Sequence, residues 1–178
     1  MNPLYKLLHL NLTERVILVL RRHWFVFFKK VLVFLIWNLA PVIIYAVLNN
    51  FYPEIIVSEN SMALLLLLGS GFYLFLWLTL FYTFTDYYLD MWVVTNQEIL
   101  DVKQKGLFHR VVVKQPLSRI QDVEAKSQGF SQTFLNYGEV KIQTAGAEGK
   151  FVFEEIPNPY KIADKINDLV KKQIYPVK

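Results

Sequence analysis

The chain contains no cysteine, which excludes a disulfide framework and any metal site built from thiolates. Its three histidines, His9, His23 and His109, lie far apart, and the chain has no zinc-protease motif, phosphate-binding glycine loop or serine-nucleophile elbow. Glu154 and Glu155 are neighbours in a strand-like segment, so we expect their side chains to face opposite sides. We therefore predict a protein that is not an enzyme, with no catalytic residue, cofactor, metal or small-molecule substrate identified.

Charged residues are missing from two long stretches, residues 31–53 and 60–85, in a chain that is 54% hydrophobic and 19% charged. At about 1.5 Å of rise per helical residue, either stretch can cross a hydrocarbon core of about 30 Å. We predict transmembrane spans at about 31–48 and 62–84, joined by an outside loop at 49–61. Two apolar helices inside a soluble core are the disfavoured alternative, because a core helix rarely needs this length.

The distribution of charge predicts the orientation in the membrane. Residues 1–30 carry six Lys and Arg against one acid, whereas the loop between the spans carries two Glu and no cation. By the positive-inside rule, we expect a multi-pass protein of the cytoplasmic membrane with both termini in the cytoplasm. From residue 86 onward, 13 Lys and Arg oppose 12 Asp and Glu, so this part has no strong basic character and a nucleic-acid partner is disfavoured.

Beyond residue 86 the apolar pattern becomes that of β-strands. The clearest alternation places Val140 and Ile142 on one face of a strand, and residues 129–137 suggest one short helical turn. Asn158 and Pro159 then open an amphipathic helix. Strand-like runs occupy residues 87–95, 98–104, 107–114, 119–126 with a bulge near Asp122, and 150–155. This order predicts a small antiparallel barrel or a curled double sheet, with the C-terminal helix closing one open end.

Before the first span, the short apolar run at residues 16–20 fits either an edge strand or part of an interfacial helix. The cations and aromatic residues that follow are typical of a membrane-interface anchor. The candidate lipid-surface residues are Arg21, Arg22, His23, Trp24, Lys29 and Lys30, with Lys103, Lys105 and Arg110 as possible additions. Near an anionic leaflet each cation could contribute about 1 kcal/mol.

A set of short motifs, in this order and spacing, resembles the membrane-anchored bacterial PH domain family. The motifs are RRHW at 21–24, VTNQEIL at 94–100, KGLF at 105–108, PLSRIQDV at 116–123, YGEV at 137–140, QTAG at 143–146 and IPNP at 156–159. The resemblance covers roughly residues 87–172, and the RRHW motif before the paired spans looks like that of the shorter members of the same family. It implies a pleckstrin-homology-like fold, in which a bent antiparallel sheet is capped by the C-terminal helix, and roles in membrane-surface scaffolding and oligomeric assembly. It implies no shared biochemical activity.

We thus predict an α+β membrane protein in which a two-helix transmembrane hairpin is followed by a PH-like domain. The predicted divisions are a basic juxtamembrane segment at 1–30, the hairpin at 31–85 and the PH-like domain at 86–178. Within the motifs, Gly106, Gly138 and Gly146 suit turns that need positive φ, and Arg119 with Asp122 suits a charge-assisted pair across the sheet. Pro157 completes the candidate structural residues.

The function that these features favour is a scaffold for protein interaction or self-assembly, through an exposed strand edge or a groove beside the last helix. The expected partners are the lipid bilayer and a second copy or another membrane protein. Generic binding of anionic lipid headgroups is the alternative. Eukaryotic PH domains that bind phosphoinositides resemble each other in a basic cluster around the first hairpin turn. The corresponding turn here, at residues 95–98, has no cation, which disfavours specific inositide recognition. A channel or transporter subunit is less favoured, because neither span contains an ionisable residue.

Overall fold

The computed structural model describes residues 14–106, 109–145 and 150–174. These residues form two compact units. Residues Trp24–Thr85 make the apolar unit, and the residues up to His23 together with those from Asp86 onward make the β unit. The apolar unit is therefore an insertion in the chain of the β unit.

The apolar unit is helical. Its helices are α1 (Trp24–Asn38), α2 (Ala40–Phe51), α3 (Pro53–Val57) and α4 (Glu59–Leu89). The segments Trp24–Phe51 and Glu59–Leu89 are long and apolar enough to cross a membrane, with mean hydropathies of 2.5 and 2.1. Both predicted spans lie inside these segments.

The first of these segments is interrupted between α1 and α2. Pro41 has no backbone N–H, so the helical hydrogen-bond ladder cannot run through it. The Tyr73 hydroxyl donates to the carbonyl oxygen of Asn38 (3.1 Å), and the Asn38 side-chain amide donates to the carbonyl oxygen of Phe34 (2.8 Å). Side chains thus bond to two backbone carbonyl groups near the break.

The β unit contains two antiparallel sheets, and this confirms the predicted α+β class with antiparallel strands. The first sheet has the order β1 (Val16–Leu20), β2 (Met91–Thr95), β3 (Glu98–Lys105) and β4 (His109–Pro116). The second has the order β5 (Ile120–Lys126), β6 (Tyr137–Thr144) and β7 (Lys150–Pro157). Helix α5 (Phe130–Phe134) connects β5 to β6, and α6 (Pro159–Ile174) follows β7.

One hydrophobic core joins the two sheets and α6. The first sheet contributes Trp92 and Ile99, the second contributes Val140 and Phe153, and α6 contributes Ile166, each with at most 1% of its surface exposed. The rings of Trp92 and Phe153 lie 5.5 Å apart across the core. The alternation read at Val140 therefore marks the buried face of β6, as predicted.

Strand β1 comes from before the apolar unit. It pairs antiparallel with β2, with Val19 opposite Val93, and it contributes the buried Leu20 to the core. Of the two alternatives for residues 16–20, the structure has the edge strand. The sheet therefore includes residues that the predicted division at residue 86 left in the juxtamembrane segment.

Two local predictions are confirmed and one is wrong. The register of β5 on β6 shifts between Ile120 and Asp122, which is the expected bulge, and α5 is the expected helical turn. The strand predicted from residue 87 begins only at Met91, because α4 continues to Leu89 and Asp90 N–H still bonds to the Asp86 carbonyl oxygen (3.3 Å).

Gly106 has the predicted left-handed conformation, with a φ of 73°. Gly146 lies outside the described residues. The prediction for Gly138 is wrong, because this glycine lies in the regular strand β6 without a positive φ. A Cβ there would collide with the carbonyl oxygen of Lys126 and lie 2.7 Å from Ser127 Oγ and 3.1 Å from Pro159 Cγ. Gly138 is needed because the end of β5 and the start of α6 pack against its backbone.

The predicted pair of Arg119 and Asp122 is also wrong, since within the described residues the two side chains form no ion pair. Asp122 Oδ1 instead accepts a hydrogen bond from the backbone N–H of Val123 (2.9 Å). Both side chains are exposed, and a surface pair would contribute little to stability. Pro157 ends β7 opposite Tyr137 and is half-buried.

Replacing Gly138 by Ala should lower the free energy of unfolding by about 1–3 kcal/mol, the usual cost of overpacking. Thermal unfolding of the full chain in detergent measures the loss. Gly106→Ala is the comparison, because the space around Gly106 is open and only backbone strain opposes the substitution. A Gly138→Ala protein as stable as the parent would contradict the assigned packing role.

Candidate functional site

Among the described residues, the most extensive group of interacting charges lies where the chain leaves the β unit for the apolar unit and where it returns. Arg22 Nη2 lies 3.1 Å from Asp90 Oδ2 and 3.6 Å from Glu154 Oε2, and Nη1 lies 3.9 Å from Glu155 Oε2. The side chains of Arg22 and Asp90 are only 15% and 5% exposed. We call these four residues the Arg22 cluster. It joins both ends of the insertion to strand β7.

Glu154 and Glu155 both reach Arg22, so the prediction that they face opposite sides is wrong. The pairing of β6 with β7 shifts register, with Gly138 opposite Ile156 but Val140 opposite Phe153. Glu155 also has a φ of 54°, which is rare for a residue with a side chain. This bulge turns the strand, so that the carboxylates of Glu154 and Glu155 both lie within 3.9 Å of the Arg22 guanidinium.

Asp90 is bound through both of its oxygens. Oδ2 faces Arg22, and Oδ1 accepts a hydrogen bond from the backbone N–H of Gln104 (2.8 Å). Burial raises the pKa of Asp90 above its ordinary value, while the Gln104 N–H and the charge of Arg22 oppose that rise. Asp90, directly before β2, thus connects that strand to β3 and to Arg22, two residues after the end of β1.

Asp101 lies opposite Trp92 in the β2–β3 pairing and is 7% exposed. Its Oδ2 lies 3.3 Å from Lys103 Nζ, but Oδ1 has no hydrogen-bond partner among the described residues. Burial raises the pKa of Asp101, Lys103 opposes that rise, and the neighbouring charges of Asp90 and Glu154 add to it. This region therefore contains more carboxylates than cations.

Residues 21 to 23 make further contacts within the β unit. The Arg21 guanidinium lies 5.1 Å from the centre of the Tyr88 ring, and the Tyr87 hydroxyl donates to the Arg22 carbonyl oxygen at 3.4 Å. The His23 N–H donates to the Glu155 carbonyl oxygen (2.7 Å). Each residue of this short segment is therefore held in place.

His23 also uses its ring, which stacks on that of Tyr137 at 5.0 Å between centroids and 10° between planes. Burial lowers the pKa of His23, which favours the neutral imidazole. The structure thus gives His23 a packing contact.

The candidate lipid-surface residues have different surroundings. Arg22 is enclosed by carboxylates, and Lys103 faces Asp101. Arg21 is exposed beside Tyr88, and Arg110 is exposed on β4. Lys105 belongs to β3, but its side chain is not among those the structure describes. Trp24, Lys29 and Lys30 are exposed residues of α1 in the apolar unit, where Lys29 Nζ lies 5.7 Å from the Phe25 ring centre.

Sequence reasoning did not identify the acidic members of the cluster. An aspartate directly before the apolar run of β2 is one signal that was available, because a charge beside a buried strand needs a partner. The adjacent acids at the end of β7 are a second signal. Neither signal says which cation they meet, since Arg22 lies 68 residues from Asp90 in the chain.

Removing the carboxylate of Asp90 should cost about 3 kcal/mol of unfolding free energy, because Asp90→Ala leaves Arg22 and the Gln104 N–H without their closest acceptor. Glu154→Ala is the matched control. Its side chain is 52% exposed, so its loss should cost about 0–1 kcal/mol. Denaturation of the full chain in detergent compares the two variants, and equal losses would contradict the central role of Asp90.

Asp101→Asn should make the protein more stable at neutral pH. Because burial raises the folded-state pKa of Asp101 above its unfolded value, protonation favours the folded state, and this contribution is lost as pH rises through the folded pKa. Asparagine does not ionise, so the advantage over the parent should shrink as pH falls towards 4, about the ordinary pKa of Asp.

Unfolding midpoints at the two pH values measure this effect. Asp164→Asn, which makes the same substitution on the exposed side of α6, is the control. An Asp101→Asn protein whose stability relative to the parent is the same at both pH values would contradict the prediction.

The family model described as the bacterial PH domain matches residues 16–170, from the first residue of β1 through the insertion and into α6. No curated protein matches. A similar solved structure is that of a DUF1696 family protein with a pleckstrin-homology domain from Shewanella loihica PV-4. The two chains are 21% identical, the match covers 46% of this chain and 70% of that chain, and the TM-score is 0.39. Because the family model matches most of its length, the chain belongs to the bacterial PH domain family.

Proposed function

We propose that this chain is a membrane-anchored PH-like module that acts as a scaffold for protein interaction or self-assembly at the cytoplasmic face, without enzymatic activity. The exposure of the apolar unit supports the anchor. In the most apolar 18-residue window of each long helical segment, no residue is buried. Ile43, Leu66 and Trp77 are 58–66% exposed. Water would oppose so much exposed apolar surface, whereas lipid tails solvate it.

The position of the insertion supports a role in which the anchor and the domain act together. The apolar unit lies between β1 and β2, and the Arg22 cluster ties both ends of the insertion into the β unit. A domain connected to its anchor at two points has less freedom than one on a single linker. Such an attachment suits a module that presents a defined surface at the membrane.

The observation that carries the scaffold proposal is the edge of the first sheet that β4 forms. Strand β4 pairs with β3, and no other described strand pairs with it. Of its eight residues Gln115 is buried, whereas Val112 and Val113 are 38% and 40% exposed. Unpaired backbone groups beside exposed β-branched side chains are a surface to which another strand can add.

The charged residues favour a scaffold role over the binding of lipid headgroups or enzymatic activity. Arg22 and Lys103 each have a carboxylate partner within the domain, so their charge is largely compensated. Arg21 and Arg110 would still favour an anionic leaflet, by about 1 kcal/mol each, which helps to orient the domain. The buried Asp90 and Asp101 face Arg22, Lys103 or a backbone N–H group, an arrangement that suits a structural role.

The scaffold proposal is tested by purifying the full chain from membranes and measuring its native size in detergent at several protein concentrations. We expect assemblies of several copies, or a co-purifying membrane protein. Val112→Glu combined with Val113→Glu should reduce this association to a single copy, because the two charges cannot be buried beside a partner strand. Retention in the membrane fraction after an alkaline wash tests the anchor itself.

The control is Gln121→Glu with Gln173→Glu, which adds the same charge at exposed positions on β5 and α6. This variant should associate like the parent. A parent chain that is a single copy at every concentration and carries no other protein would overturn the scaffold proposal. A chain that dissolves from broken cells without detergent would overturn the anchor.

A further inference from the structure

Helix α5 presents two phenylalanines to the solvent. Phe130 and Phe134 are 86% and 76% exposed, and their rings stack on each other, with centroids 5.9 Å apart and planes within 7°. Each ring is one turn of the helix from the other, so they form a single apolar tip. Large apolar side chains exposed together in this way usually mark a contact surface.

The segment around this tip is free of charge. Residues 127–136 contain ten residues and no Asp, Glu, Lys or Arg. Several of its polar groups bond within the segment, as Thr133 Oγ1 does to the Gly129 carbonyl oxygen (3.0 Å) and the Gln128 N–H does to Gln132 Oε1 (2.6 Å). Moving such a segment out of water has a low free-energy cost, because it has no charge to desolvate and several of its polar groups are already hydrogen-bonded.

Contacts within the β unit fix the position of α5. Ser131 Oγ lies 3.1 Å from the Tyr137 hydroxyl, and the Tyr137 ring stacks on His23. At the base of the loop, Asn136 Nδ2 donates to Asn158 Oδ1 (2.6 Å). His23 is the residue directly before α1. Through one tyrosine, α5 is therefore held close to the point where the chain enters the first apolar segment.

We propose that Phe130 and Phe134 insert into the boundary between lipid headgroups and acyl chains. The inference rests on the proposed membrane anchoring, which places residues 23 and 24 near the bilayer surface. Aromatic side chains favour this depth, and short apolar faces are buried there by about 5–10 Å. The lipid surface is favoured as the occupant because the segment lacks charges and is held beside His23. The two phenylalanines would then give the β unit a third contact with the membrane, in addition to the two ends of the apolar unit.

Because the chain has no native cysteine, a single introduced thiol reports on this contact. The full chain with Thr133→Cys carries an environment-sensitive dye and is reconstituted in nanodiscs of phosphatidylcholine and phosphatidylglycerol. Nitroxide attached to the lipids quenches a dye within the bilayer boundary, whereas iodide quenches a dye in water. We expect quenching by the nitroxide and protection from iodide.

Adding Phe130→Ser and Phe134→Ser to the labelled chain should reverse this pattern, with most of the nitroxide quenching lost. Gln121→Cys, at the other end of β5, is the control in the same domain and should be quenched by iodide. Leu66→Cys reports on the anchor itself and should be quenched by the lipid nitroxide.

The outcomes separate the two proposals. If the dye at Leu66→Cys is in lipid while that at Thr133→Cys is open to iodide, insertion of the tip is overturned and the anchor stands. If the dye at Thr133→Cys is protected from both quenchers, it contacts protein, which also overturns insertion. If the dye at Leu66→Cys is open to iodide, the anchor itself fails.

Discussion

The ion pair between Arg22 and Asp90 is the interaction on which the β unit depends most directly. It connects residues 68 positions apart, on either side of a long insertion whose closure has an entropic cost. It adds to the strand pairing with β2, to the burial of Leu20 and to the His23 contacts that keep β1 on the sheet. A buried charge pair is weak evidence of net stability, but it strongly disfavours arrangements in which either charge lacks its partner. The pair therefore specifies which residues come together at the two ends of the apolar unit.

The neighbouring features follow from the need to surround Arg22 with acceptors. The bulge in β7 and the positive φ of Glu155 bring two adjacent carboxylates to one side. The backbone carbonyl of the same Glu155 binds the N–H of His23, whose ring stacks on Tyr137. An irregular strand and an unusual backbone angle thus hold the residues that precede the apolar unit.

Two surfaces of the β unit differ in chemistry and suit different partners. Strand β4 offers backbone groups and exposed valines, which suits another strand. Helix α5 offers two aromatic rings in an uncharged segment, which suits lipid. A scaffold that contacts the bilayer on one side and proteins on another needs both kinds of surface. Its buried polar groups, by contrast, mostly serve to hold the fold together.

The sequence by itself determined the features that depend on local pattern: two apolar helices, the buried face of β6 at Val140 and Ile142, and the last helix. These follow because side-chain periodicity reports which face of a segment is buried. Only the tertiary structure decided that residues 16–20 belong to the first sheet, that Gly138 allows close packing, and that Glu154 and Glu155 share a partner. Each of these depends on a contact with residues distant in the chain, which no local pattern encodes.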